Sequence, residues 1–198
     1  MNARILIVYG SSYGQTEKIA RRLAELLTAR ACDVTVADAK ALPASLRPDA
    51  FDGIVVGASI IARGHQPSVR DFVHANLATL NRIPSAFYSV CASAGSAYEK
   101  SRAAARSRRD AFLTEAGWHP ALSESIAGAI NFTRYNFMLR WYMKKASKMN
   151  GASTDTSRDH EYTDWSQVER FADQIADYEE RSRKNTTRSV LFGGAALS

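Results

Sequence analysis

The run Arg4-Ile-Leu-Ile-Val-Tyr-Gly10 leads directly into Ser11-Ser-Tyr-Gly-Gln-Thr16, and the fold turns on how these two pieces join. Arg4 to Gly10 is short, apolar and rich in β-branched residues, the pattern of a strand covered on both faces. Gln15 to Arg30 then sets Ile19, Leu23, Leu26 and Leu27 at helical spacing. The loop between strand and helix is built of glycines and hydroxyls. Its backbone amides, the helix N-terminus and the side chains of Ser11, Ser12 and Thr16 can together cradle a phosphate. The loop lacks the lysine of a nucleoside-triphosphate loop, and it is not G-x-G-x-x-G either. It contains no Lys or Arg, so a phosphate there would rest on neutral donors and the helix dipole. The competing reading is an ordinary strand–helix turn.

The same alternation continues along the chain. Asp33 to Asp38, Gly53 to Ala58, Ser85 to Cys91 and Ser123 to Phe132 read as further strands. Ser68 to Leu80, Tyr98 to Ala116 and Trp165 to Glu180 read as helices, while the gap holding Pro43 and Pro48 has room for a short crossover helix at most. Five strands joined by crossovers predict a doubly wound α/β domain with a parallel sheet. Such sheets bind ligands beyond the carboxyl ends of their strands. Here those ends are Gly10–Gln15, Ala58–Pro67 and Val90–Tyr98.

Bulk properties narrow the class. At 198 residues the chain suits one domain, 1–182, followed by a flexible tail over 183–198. Hydrophobic residues make up 45% and charged residues 23%, a globular balance. No apolar run approaches a membrane span. Cys32 and Cys91 cannot form a disulfide framework or a cysteine-only metal site, and no metal is expected. The expected location is the cytoplasm. With 26 basic against 20 acidic residues the net charge is +6, which favours an anionic partner. No nucleic-acid motif accompanies that charge, so nucleic acid is not expected.

Ser11, Gly14, Gln15 and Thr16 match the loop with which flavodoxins hold the phosphate of flavin mononucleotide, while Tyr13 departs from the usual small hydroxyl residue. Gly57-Ala-Ser-Ile60 with Gly64-His65, Pro84-Ser-Ala-Phe-Tyr-Ser-Val90, Ala127-Gly-Ala-Ile130 with Arg134-Tyr135, Thr154-Asp-Thr156 and Tyr162-Thr-Asp-Trp165 are more specific. Together they resemble the flavodoxin-like, quinone-dependent protoporphyrinogen oxidases (dehydrogenases) of bacterial haem synthesis. The resemblance covers roughly 4–178; the stretch 92–110 and the residues after Glu180 depart from it. It implies strand order 2-1-3-4-5, FMN as cofactor, protoporphyrinogen IX as reductant, and menaquinone or ubiquinone as acceptor at the cytoplasmic face of the cell membrane. Self-association into a homo-oligomer is compatible with it.

By that resemblance the FMN site comprises Ser11, Ser12, Tyr13, Gly14, Gln15 and Thr16 at the phosphate. Ala58, Ser59, Ile60, Gly64, Val90, Cys91, Ala92, Gly95 and Tyr98 would surround the flavin ring. Arg63 and Arg134 are candidate clamps for the substrate's propionates, against the alternative of solvated surface arginines. His65 is the candidate proton acceptor by position and chemistry, against a plain loop histidine.

Residues 133–160 form a long insertion near the fifth strand. Arg134 to Met149 holds five cations and no acid. On a helix, Phe137 and Trp141 fall among Arg140, Lys144 and Lys148. Two readings compete: a packed helix with a solvated basic side, or a face resting on an anionic membrane or a quinone. Two other functions share the fold: a flavodoxin-type electron carrier, disfavoured by the positive charge, and an NAD(P)H:quinone reductase.

Overall fold

The computed structural model describes residues 2–60, 64–149 and 151–193, without the side chains of 186–193. β1 (Arg4–Gly10), β2 (Asp33–Asp38), β3 (Gly53–Ser59), β4 (Ser85–Cys91) and β5 (Leu122–Ala127) form one sheet in the order β2-β1-β3-β4-β5. Every neighbouring pair is parallel, as the strand–helix alternation predicts. β3 and β4 are buried along their whole length, which is why their sequences show no polar alternation.

Five helices cover or flank the sheet: α1 (Gln15–Ala29), α2 (Pro67–Ala75), α3 (Leu77–Arg82), α4 (Glu99–Ala116) and α6 (Trp165–Gly193). The strands divide their side chains between two cores with period two. Ile5, Ile7 and Tyr9 join Leu23 of α1 and Phe171 of α6; Leu6 and Val8 join Phe72 of α2 and Phe112 of α4. Each fully buried side chain of this size contributes roughly 1.5–3 kcal/mol.

Three departures from the expected elements have local causes. The helix expected over 68–80 is split at Asn76, whose Nδ2 donates to Phe72 O (2.9 Å) and closes α2. The gap between β2 and β3 holds only a 3-10 turn, Pro48–Ala50. The expected fifth strand ends at Ala127, because beyond Gly128 the chain turns away into β6 (Ala129–Ile130). That strand pairs antiparallel with β7 (His160–Glu161). Between β6 and β7 stands α5 (Phe137–Met149), seated on a small core of Ile130, Phe132 and Tyr135. α6 runs past residue 182, so the segment expected as a tail begins inside a helix; 194–198 lie outside the described residues. Among the described residues no helix is long and apolar enough to cross a membrane.

Candidate functional site

At the carboxyl edge the loop after β1 enters α1 through Gly14, whose φ of 96° belongs to the left-handed region open to glycine. Ser11 Oγ accepts from Gly14 N (2.9 Å) and folds the loop back on itself, so that it wraps the first turn of α1. Thr16, in that turn, is 1% exposed, and among the described residues its Oγ1 has no hydrogen-bond partner. A buried hydroxyl left unpaired carries a desolvation cost of about 1–3 kcal/mol, which a ligand oxygen would relieve.

Long-range contacts fix the loop from three sides. Gln15 Nε2 donates to Thr163 Oγ1 (2.8 Å), which donates to Ala127 O (2.7 Å). Gln66 Nε2 donates to Ser59 Oγ (3.1 Å) and also reaches Ser12 Oγ. Tyr13 O accepts from Asn131 Nδ2 and from an Arg134 guanidinium nitrogen, both at 3.3 Å, while the Tyr13 ring meets Tyr135 edge-on at 4.8 Å. Lys40 Nζ donates to Ser11 O (3.3 Å). The loop has no cation of its own, yet folding brings Lys40 and Arg134 to its backbone.

A cleft runs from this loop into apolar ground. Ser11, Ser12, Tyr13, Gln15 and Thr16 line one end; Ile60, Val90, Cys91, Ala92, Gly128 and Met143 line the other. Gly128 leaves room there, since a Cβ at this position would stand 3.0 Å from Val90 Cγ1. Hydroxyls and a helix N-terminus at one end with apolar walls at the other suit a group with a phosphate on one side and an aromatic ring on the other. The residues therefore fit a flavin nucleotide. Cys91 is buried, with Sγ 3.3 Å from Ser93 Oγ.

The remaining expected residues are placed as follows. Ala58 and Ser59 end β3, and Ile60 bridges back to His65 while its N donates to Val90 O (2.8 Å). Gly64 has a φ of 122°. Gly95 packs against Ala127 and Tyr162, away from the loop. Tyr98 is exposed, and its ring lies beside Gly151. His65 is buried in the layer of α2 and α4, against Phe87 and Phe112, with Nε2 2.9 Å from Ser89 Oγ. Burial, aided by Arg70, lowers its pKa to about 4, so it is neutral at physiological pH and stands outside the residues lining the cleft. Arg63 lies outside the described residues.

On α5, Phe137 and Trp141 are 84% and 64% exposed, with Lys145 above the Trp141 ring. Lys144 and Lys148 are exposed as well. Arg140 is instead engaged, donating to Phe132 O (3.0 Å) and Tyr135 O (3.2 Å). Met138 and Tyr142 face solvent, while Leu139 and Met143 pack inward. Sequence reasoning missed Lys40, Gln66, Asn131 and Thr163. The signal available was their position, since each follows or precedes a strand at the carboxyl edge.

Comparisons with known proteins agree with this geometry. The flavodoxin-domain family model matches residues 6–157. A protoporphyrinogen IX dehydrogenase [quinone] of Escherichia coli K12 is 35% identical over 173 residues, 87% of this chain and 94% of that protein. Its counterpart in Leishmania major is 32% identical over 177 residues, 87% of this chain and 74% of that protein. A flavodoxin from the domain Archaea superposes with a TM-score of 0.52 at 15% identity, covering 89% of this chain and 99% of that one. A short-chain flavodoxin associated with a PDU bacterial microcompartment gives 0.53 at 16% identity, covering 89% and 99%. This chain belongs to the flavodoxin-domain family, in the group represented by the protoporphyrinogen IX dehydrogenases [quinone].

Proposed function

We propose that the chain is an FMN-dependent oxidoreductase of haem synthesis. It oxidises protoporphyrinogen IX to protoporphyrin IX and delivers the electrons to menaquinone or ubiquinone at an anionic membrane surface. The observation that carries the cofactor is the buried, unpartnered Thr16 Oγ1 within a hydroxyl-lined loop at a helix N-terminus. Membership of the dehydrogenase group supports the substrate pair.

In this reading Ser11, Ser12 and Thr16 hold the phosphate together with the N-terminus of α1, and Lys40 and Arg134 neutralise its charge from the loop's backbone side. Ile60, Cys91, Ala92 and Gly128 hold the ring and keep water from it. When bound, the flavin supplies acceptance of a hydride equivalent from the porphyrinogen and its return to the quinone. Each such dehydrogenation moves an electron pair and two protons, which leave as quinol. His65 acts by position, tying Ile60 and the turn beyond β3 to Ser89 of β4. Residues 133–160 form the membrane-facing part of a single domain ending near 182. Phe137 and Trp141 enter the headgroup region, and Lys144, Lys145 and Lys148 meet anionic lipid, each worth up to ~1 kcal/mol at low salt.

The test mixes FMN-loaded protein anaerobically with protoporphyrinogen IX and a menaquinone analogue. Protoporphyrin fluorescence that requires both protein and quinone supports the reading. No excess over the protein-free control, with quinone reduction from NADPH instead, moves the chain to the reductase function. Phe137→Ser with Trp141→Ser should weaken binding to anionic liposomes severalfold, and unchanged binding removes the membrane from the proposal.

A further inference from the structure

α5 has one fully buried side chain, and it is a serine. Ser147 is 2% exposed, and among the described residues its Oγ has no hydrogen-bond partner. Helix packing alone would favour an apolar residue at this point, because a buried hydroxyl without a partner is costly. Serines inside helices commonly return the hydroxyl to a carbonyl one turn earlier, and this one does not. Ser147 lines a cavity of about 50 Å³ between α5 and the turn after β4, with Ala92, Gly95, Ile130, Ala146 and Tyr162 around it. Met143 and Ala92 also line the flavin cleft, so the two spaces share a wall.

Chemistry limits what fits. Among the described residues no Lys, Arg, Asp, Glu or His lines the cavity, so an anionic propionate would find no counter-charge from them. A flat, neutral ring bearing a carbonyl suits the small side chains and gives the orphaned hydroxyl an acceptor. We propose that this cavity takes the carbonyl edge of the electron-accepting quinone, with Ser147 Oγ–H donating to that carbonyl. The proposal rests on the reading above that a quinone accepts the electrons. The cavity is sized for the carbonyl edge, and the rest of the ring lies toward the cleft in the space of Met143, an unbranched side chain that can move. This places the ring beside the flavin cleft and beneath a helix whose outer face carries Phe137 and Trp141.

The experiment uses the full flavin-loaded chain with menadione as the probe. Its dissociation constant is measured by equilibrium dialysis in the wild type, Ser147→Ala and Ala146→Leu. Loss of a single neutral hydrogen bond should weaken menadione binding by about fivefold in Ser147→Ala. Filling the cavity should abolish binding in Ala146→Leu. Flavin affinity should be retained in both, which separates a lost site from a lost fold. In turnover the KM for menadione should rise in Ser147→Ala while kcat at saturating quinone is kept. Menadione binding as tight as wild type in Ser147→Ala overturns the proposal. If Ser147→Ala does not fold, undiminished binding by Ala146→Leu overturns it instead. A wild type that binds and reduces menadione alongside unaffected variants defeats this site alone. A wild type that neither binds nor reduces menadione defeats the quinone-acceptor reading along with it.

Discussion

The two edges of the sheet each bury a titratable side chain, and they treat it differently. At the carboxyl edge His65 sits between Phe87 and Phe112 with Ser89 as its partner. At the amino edge Glu179 of α6 is 5% exposed, presses against Gly53, and leaves Oε2 without a hydrogen bond among the described residues. The amino edge also holds the roomier space, an open cavity of about 820 Å³ lined by Arg4, Cys32, Asp33, Asp52 and Arg183. The proposed binding chemistry nevertheless gathers at the other edge, around a narrow cleft. Volume is a poor guide here. What marks the cleft is convergence: a helix N-terminus, several hydroxyls and an orphaned donor aimed at one place.

Glu179 should give the largest effect. Burial first, then the Asp52 carboxylate, raises its pKa from 4.5 to about 8, with Arg183 opposing. The folded chain therefore keeps a proton that the unfolded chain releases, so stability falls as pH rises from 4.5 to 8. Glu179→Gln removes this titration. Above pH 8 it should be more stable than the wild type by on the order of 3 kcal/mol, and near pH 4.5 the two should match. Denaturant midpoints across that range measure it. A difference that does not grow with pH breaks the contrast between the edges.

His65 should behave with the opposite sign. Its pKa is lowered from 6.5 to about 4, so the unfolded chain takes up a proton that the folded chain refuses. Its contribution is complete above pH 6.5 and is lost as pH falls toward 4. In His65→Phe the acid loss of stability between these values should shrink by about 2 kcal/mol. The wild type thus loses stability toward acid through one edge and toward base through the other. An unchanged acid slope in the variant would place the acid sensitivity elsewhere.

How much of this was legible in the sequence depends on whether the information was local. β1, its loop and α1 could be read because strand, glycine turn and amphipathic helix are each specified within a few residues. The residues of the loop after β1 could be picked out for the same reason. Its charges were not, since Arg134 reaches Tyr13 O from the far side of β6 and Lys40 reaches Ser11 O from beyond β2. The pairing of β6 with β7 was hidden because two-residue strands have no periodicity to detect. His65 illustrates the limit on chemistry. Its position after β3 suggested a proton acceptor, and only the packing of Phe112 from α4 shows that the ring is enclosed. On α5 the sequence left the conformation of 133–160 open, and a helix served only to sort its faces. Its rotation was set by Phe132 and Tyr135, whose carbonyls draw Arg140 inward and leave Met138 and Tyr142 outside.

The smallest effect is also the most discriminating, because it sets one unpartnered atom against another. Thr16 Oγ1 and Glu179 Oε2 are both buried without a partner among the described residues, so replacing Thr16 with a group that asks for none should leave the ligand-free protein at least as stable. They differ in what surrounds them. Thr16 lies in a cleft with Ser11, Ser12 and the N-terminus of α1, whereas Glu179 presses against Gly53 with Asp52 and Arg183 as its charged neighbours. Thr16→Val keeps the shape and β-branching while removing the hydroxyl. Its ligand-free stability should match the wild type or exceed it by about 0.5 kcal/mol, and its FMN affinity should fall about tenfold, near 1.4 kcal/mol. Glu179→Gln should leave FMN affinity alone. Titration of both ligand-free proteins with FMN, followed by flavin fluorescence, separates the cases. An orphaned atom that costs stability and returns affinity belongs to a site, and one that only costs stability belongs to the scaffold. Undiminished FMN binding in Thr16→Val would move Thr16 into the second class and take the phosphate cradle with it.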